Sequence, residues 1–140
     1  VRWGYNDGGR AASGFKGEAD DCVVRAVAIA ADLAYRDVYD ALNDLTRDAR
    51  IAGRRHGART GIPRNVYQLY LENHGFVWYP IMGIGTGTTV HLRDGEIPTE
   101  GRHVARLSKH LCAIVDGVVL DTHDPSRNGT RAVYGLFSMR

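Results

Sequence analysis

From Cys22 to Ala31 the chain is apolar at every position except Arg25. A helix without a polar face has to be buried, so this stretch predicts a central helix over about 21–33. Asp20 or Asp21 stands where an N-cap carboxylate accepts hydrogen bonds from the first free amides. Val38, Leu42, Leu45 and Ala49 recur at helical spacing and predict a second helix over about 35–49. A third begins at Pro63, whose fixed φ suits a first helical turn, and runs to about His74, with Gly75 to end it. After Gly75 the period changes. Phe76 to Tyr79, Thr88 to Leu92, Val104 to Leu107 and the stretches 110–115, 118–122 and 132–137 are runs punctuated by turn residues, which read as strands. The glycine-rich lead over 1–19 reads as a flexible segment.

Helices first and strands afterwards is the order of an α+β fold, here N-terminal helices packed on a C-terminal antiparallel β-sheet. A chain of 140 residues, 44% of them hydrophobic, has material for one sizeable core and so for a single domain over 1–140. No run approaches the ~18 apolar residues of a membrane span, and no signal-peptide pattern opens the chain, so a cytoplasmic protein with no membrane partner is expected. Two cysteines are too few for a disulfide scaffold.

Chemistry enters through the late strands. Asp116-Gly117 lies between two β-branched runs and predicts a hairpin with a two-residue type I′ turn. That turn sets Val115 opposite Val118, Cys112 opposite Asp121 and His110 opposite His123. Side chains alternate along a strand, so His110, Cys112, Asp121 and His123 share one face. Asp121 becomes the diagonal neighbour of His110, placed to orient the imidazole and stabilise its protonated form. Far upstream, Cys22 opens the apolar helix, where unpaired N–H groups and the positive dipole end favour a thiolate. Cys22, His110 and Asp121 are thus the candidate nucleophile, base and orienting carboxylate. Cys112, on a strand in the core, is expected to pack and stay inert.

A cysteine at a helix start, followed by histidine and then aspartate on consecutive late strands, resembles the papain-like superfamily, including the small peptidase domains that process bacteriocin leaders. Over nearly the whole chain, Asn6-Asp7-Gly8-Gly9-Arg10, Asp21-Cys22-Val23-Val24-Arg25-Ala26 and Asp121-Thr122-His123-Asp124-Pro125-Ser126-Arg127 resemble an uncharacterised family of small bacterial and phage proteins. The first resemblance implies a papain-like fold and a cysteine hydrolase or acyl transferase. Such an enzyme is a peptidase or amidase that works through a thioester on a peptide or protein, without a cofactor. The second implies a bacterial or phage-infected cell. Papain-like enzymes usually carry a glutamine about six residues before the cysteine to bind the oxyanion. Lys16 holds that position here, and no glutamine precedes Cys22. An ammonium can donate to an oxyanion beside the Cys22 N–H, and Asn6 is the other candidate donor.

Net charge is only +2, but Arg47, Arg50, Arg54, Arg55, Arg59 and Arg64 lie close together with Asp48 the one acid between them. Arg54, Arg55 and Arg59 are candidates for contact with a substrate or partner. The glycines among them favour a solvated loop, and the lack of stacking aromatics argues against nucleic acid. An alternative reading is a non-catalytic papain-like interaction domain, of phage or bacterial origin, that binds a host component through this loop. A zinc protein is another, with His110, Cys112, Asp121 and His123 as ligands. Ligands from facing strand pairs crowd one another and no ligand-spacing motif is present, so no metal is expected. Met82 to Thr88 is glycine-rich but lacks the Lys-Ser/Thr ending of a phosphate loop, and reads as a turn between strands.

Overall fold

The computed structural model describes residues 1–17, 19–48, 58, 61–82 and 90–139. Its helices are α1 (Cys22–Ala31), α2 (Tyr35–Asp48) and α3 (Arg64–Asn73). Its strands are β1 (Arg2–Tyr5), β2 (Phe76–Pro80), β3 (Arg102–Leu107), β4 (His110–Val115), β5 (Val118–Asp121) and β6 (Gly135–Met139). The strands form one sheet in the order β1-β5-β4-β3-β6-β2, and the α+β class holds.

The apolar run of α1 becomes the centre of the fold. Val23, Ala26, Val27 and Ala30 are buried against Val104, Leu111 and Ala113 of the sheet. Small side chains dominate α1, which lets the helix lie close on β4. Asp32 ends α1 in the left-handed conformation (φ 55°), its N–H reaching the Ala28 and Ile29 carbonyls. In α2, Val38 and Leu42 are fully buried, and α3 contributes Val66, Tyr67 and Leu71 to the same core. Pro63 stands just before α3, and Gly75 (φ 88°) follows its last turn.

Asp116 (φ 49°) and Gly117 (φ 80°) both take positive φ, as a type I′ turn requires. Val115 lies opposite Val118, Ile114 opposite Val119 and Ala113 opposite Leu120. Alternate residues of β4 serve two cores. Leu111 and Ala113 face the helices, whereas Cys112 and Ile114 join Val119, Leu92, Ile97 and Val133 in a second cluster.

Two expectations are corrected. The sheet is mixed, because β1 pairs in parallel with β5, Arg2 opposite Val118 through Tyr5 opposite Asp121. The segment read as a flexible lead therefore begins as an edge strand. A four-residue strand containing Gly4 is too short to show a period, and its pairing depends on a free edge supplied more than a hundred residues downstream. The strand expected over 88–92 is, within the described residues, a single bridge between His91 and Ala132. Thr88, Thr89 and most of the glycine-rich turn before them lie outside the described residues. No described helix is long and apolar enough to cross a membrane.

Candidate active site

The β4–β5 hairpin has a turn end and an open end. His110 is the first residue of β4 and Asp121 the last of β5, so the type I′ register brings both to the open end. The N-terminus of α1 arrives at the same place, and Cys22, His110 and His123 line one cleft of about 840 Å³.

His110 Nε2 lies 2.6 Å from Asp121 Oδ2. The Asp121 side chain is 3% exposed, and its Oδ1 accepts from the Thr122 N–H at 2.7 Å and from Arg25 at 3.3 Å. Its backbone carbonyl accepts the Asn6 N–H at 2.9 Å, which ties β1 to this corner. Burial works against the charge of Asp121, but the hydrogen bond and charge of His110, the Thr122 amide and Arg25 outweigh it and hold the carboxyl below its ordinary range. For His110, burial alone would lower the pKa. The hydrogen bond to Asp121 and the influence of Cys22 prevail and push it up to about 9. Cys22 acts on the ring both by a side-chain hydrogen bond and by its charge, so its sulfur lies beside His110. His123 packs its ring 5.2 Å from that of His110 but is itself exposed, and Asp124 turns away to accept the Ser126 N–H at 2.9 Å.

Behind Asp121 lies a buried network that the sequence reading missed. Arg25 bridges Asp121 and Asp21, pairing with the latter one helical turn back. Asp21 is 2% exposed, and its other oxygen accepts from Tyr35 Oη at 2.6 Å. Arg10 donates to Tyr35 Oη at 2.9 Å and approaches Asp21 at 3.7 Å. Burial and the Asp21 carboxylate push the Tyr35 hydroxyl's pKa up, so Tyr35 stays a donor. Asn6-Asp7-Gly8-Gly9-Arg10 delivers this arginine. Asn6 and Asp7 side chains accept the Gly8 and Gly9 N–H groups in a tight turn, and Gly8 (φ 73°) approaches the Arg25 backbone, where a Cβ would come within 3.2 Å. The available signal was Arg25 itself. A lone charge in an apolar helix must have a partner, and Asp21 is four residues before it.

Asp21 thus occupies the N-cap position of α1 without capping it, since its carboxylate makes no bond to the helix amides. It serves Arg25 and Tyr35 instead, and Asp20 is exposed. Neither oxyanion candidate reaches the cleft. The Lys16 side chain is exposed and does not line it, while its carbonyl accepts from Arg10 at 3.1 Å. Asn6 holds the turn before α1 and lines a separate cavity with Ala28 and Asp32. Six positions of sequence offset do not fix where a loop carries a side chain. Arg54, Arg55 and Arg59 lie outside the described residues.

His110, Asp121 and His123 offer ligand atoms within 4.8 Å of one another. The Asp121 oxygens are already engaged by His110, Thr122 and Arg25, and a cation would meet the Arg25 guanidinium. Cys112, the fourth expected ligand, is 1% exposed, and burial pushes its thiol's pKa far up. The donor set therefore fits a metal poorly. No protein-family model, curated protein or solved structure matches the chain, so the reading of this site rests on its own geometry.

Proposed function

We propose that the protein is a papain-like cysteine hydrolase acting on peptide or amide bonds, with Cys22 as nucleophile, His110 as proton carrier and Asp121 as the group that orients it. The observation that carries this reading is the 2.6 Å bond from His110 Nε2 to a buried, doubly anchored Asp121, which leaves Nδ1 as the nitrogen free to exchange a proton with Cys22. An imidazole with a pKa near 9 is protonated at neutral pH, which favours a thiolate beside it.

In the reaction, the Cys22 sulfur attacks the carbonyl carbon as a thiolate, its proton already held on His110. The N–H groups of Cys22 and Val23 have no acceptor among the described residues, and they take the place of the expected lysine in facing the oxyanion. As the C–N bond breaks, His110 returns the proton to the departing amine. Water then attacks the thioester, giving its proton to His110, and the acid leaves as Cys22 is regenerated. A second cavity of about 860 Å³, lined by Tyr5, Arg10 and Phe15, adjoins the first at Asp20 and Asp21. Together they give an extended chain room that continues beyond the thiol-bearing cleft, which supports a peptide substrate.

The test needs no known substrate. At pH 6.5, iodoacetamide should alkylate Cys22 at least about 100-fold faster than Cys112, by mass mapping, and His110→Ala should remove most of that advantage. Equal, slow labelling of both cysteines, unchanged by His110→Ala, would overturn the enzyme reading.

A further inference from the structure

The cleft that holds Cys22 is also lined by Arg64 from α3, Arg106 from β3 and Lys109 from the β3–β4 turn. Among the described residues none of the three forms an ion pair. In the same cleft Arg25 pairs with two carboxylates, so the contrast is between a guanidinium already matched to acids and two that are not.

These two arginines are not loose surface charges. The Arg64 guanidinium lies 4.9 Å over the Trp78 ring, and that of Arg106 lies 5.7 Å from the Tyr134 ring. Both charges act on Tyr67, which lines the same cleft, and Arg106 also donates a hydrogen bond to its hydroxyl. The aromatic support is itself fixed. Trp78 packs 4.6 Å from Phe137 and lies across Gly135, where even a Cβ would collide with the indole. Tyr67 meets Phe137 edge-on at 5.9 Å. Guanidinium groups stacked on ring faces keep their N–H edges free and give up less rotamer freedom when a planar anion arrives. Two such groups lining one cleft beside a tyrosine are suited to the two oxygens of a carboxylate.

We infer that Arg64 and Arg106, with Tyr67 beside them, form a carboxylate-binding subsite, and that it selects acyl substrates carrying a carboxylate near the bond presented to Cys22. The selection clause rests on the proposed thiol chemistry; the subsite does not. It accounts for why the cations gather in this cleft, and it gives the cleft a polarity that a general peptide groove lacks.

A titration tests the subsite alone. The chain has two tryptophans, Trp3 on β1 and Trp78 on β2, at opposite edges of the sheet. With 15N-labelled protein, the Trp78 indole signal should move saturably on addition of N-acetylglutamate α-amide or N-acetylglycine, while Trp3 stays still and reports an intact fold. The first ligand stands for an acidic side chain, the second for a chain terminus, and the tighter of the two identifies the source. The matched amides should have no effect. Arg64→Gln and Arg106→Gln should each weaken binding about tenfold, the scale of one charge-assisted hydrogen bond. In a second arm, N-iodoacetylglycine should alkylate Cys22 about tenfold faster than its amide, and the ratio of the two rates should collapse in Arg106→Gln. A Trp78 response with an unreactive Cys22 would keep the subsite and sink the thiol reading. Equal responses to acids and amides, or a response to a single-stranded oligonucleotide and to neither acid, would overturn the inference.

Discussion

Cys22 and Cys112 both lie near Asp121, one through His110 and the other on the neighbouring strand β4, and their surroundings differ sharply. Cys112 is 1% exposed among Ile114, Val119 and Leu136. Burial raises its pKa and the Asp121 charge raises it further, so it stays a thiol. Cys22 is only partly buried, opens a helix and meets the carboxylate through His110, whose pKa is raised to about 9. Both cysteines are free. The lesson is that proximity to an acid decides little until the group between them is known.

The comparison breaks most completely at Arg25. Arg25→Met removes the cation that neutralises two buried carboxylates, and it should cost about 3–5 kcal/mol of stability, measured by urea unfolding. In whatever fraction remains folded, Cys22 should lose its labelling advantage over Cys112, because Asp121 no longer holds His110 in place. Retained stability together with retained Cys22 reactivity would show that the network behind Asp121 is dispensable.

A smaller effect sharpens the imidazolium argument. Because the His110 pKa is raised from 6.5 to about 9, its proton is bound more tightly in the folded state. The stability this provides is fully present below about pH 6.5 and is lost as the pH rises through 9. Asp121, whose pKa is lowered, contributes above its ordinary range and loses that contribution on acidification. Thermal melts should therefore decline by a few degrees between pH 6.5 and 9, and His110→Gln should flatten that part of the profile. An unchanged slope in the variant would place the titration elsewhere.

The smallest effect belongs to the other cysteine. Cys112→Ala should cost about 1 kcal/mol, the scale of one lost core atom and the small void it leaves, and the alkylation rate of Cys22 should stay the same. A change in that rate would mean that the second core cluster, and not the network through Arg25, sets the position of Asp121.

Local rules made much of this legible before any coordinates. The unbroken apolar run demanded a buried α1, and the Asp116-Gly117 turn, once granted, fixed the hairpin register and put His110 and Asp121 together at its open end. Turn chemistry and strand period act over a few residues, so the residues that obey them are written side by side. The rest depended on segments that meet only when folded. The parallel seat of β1 on β5, the diversion of Asp21 from helix cap to salt bridge, the absence of Lys16 and Asn6 from the cleft and the convergence of Arg64 with Arg106 have no short-range signature. Arg25 reaches Asp121 across 96 positions of sequence. A buried charge announces that it needs a partner, because desolvation makes the unpaired state too costly, but only the approach of distant backbones decides which partner it finds.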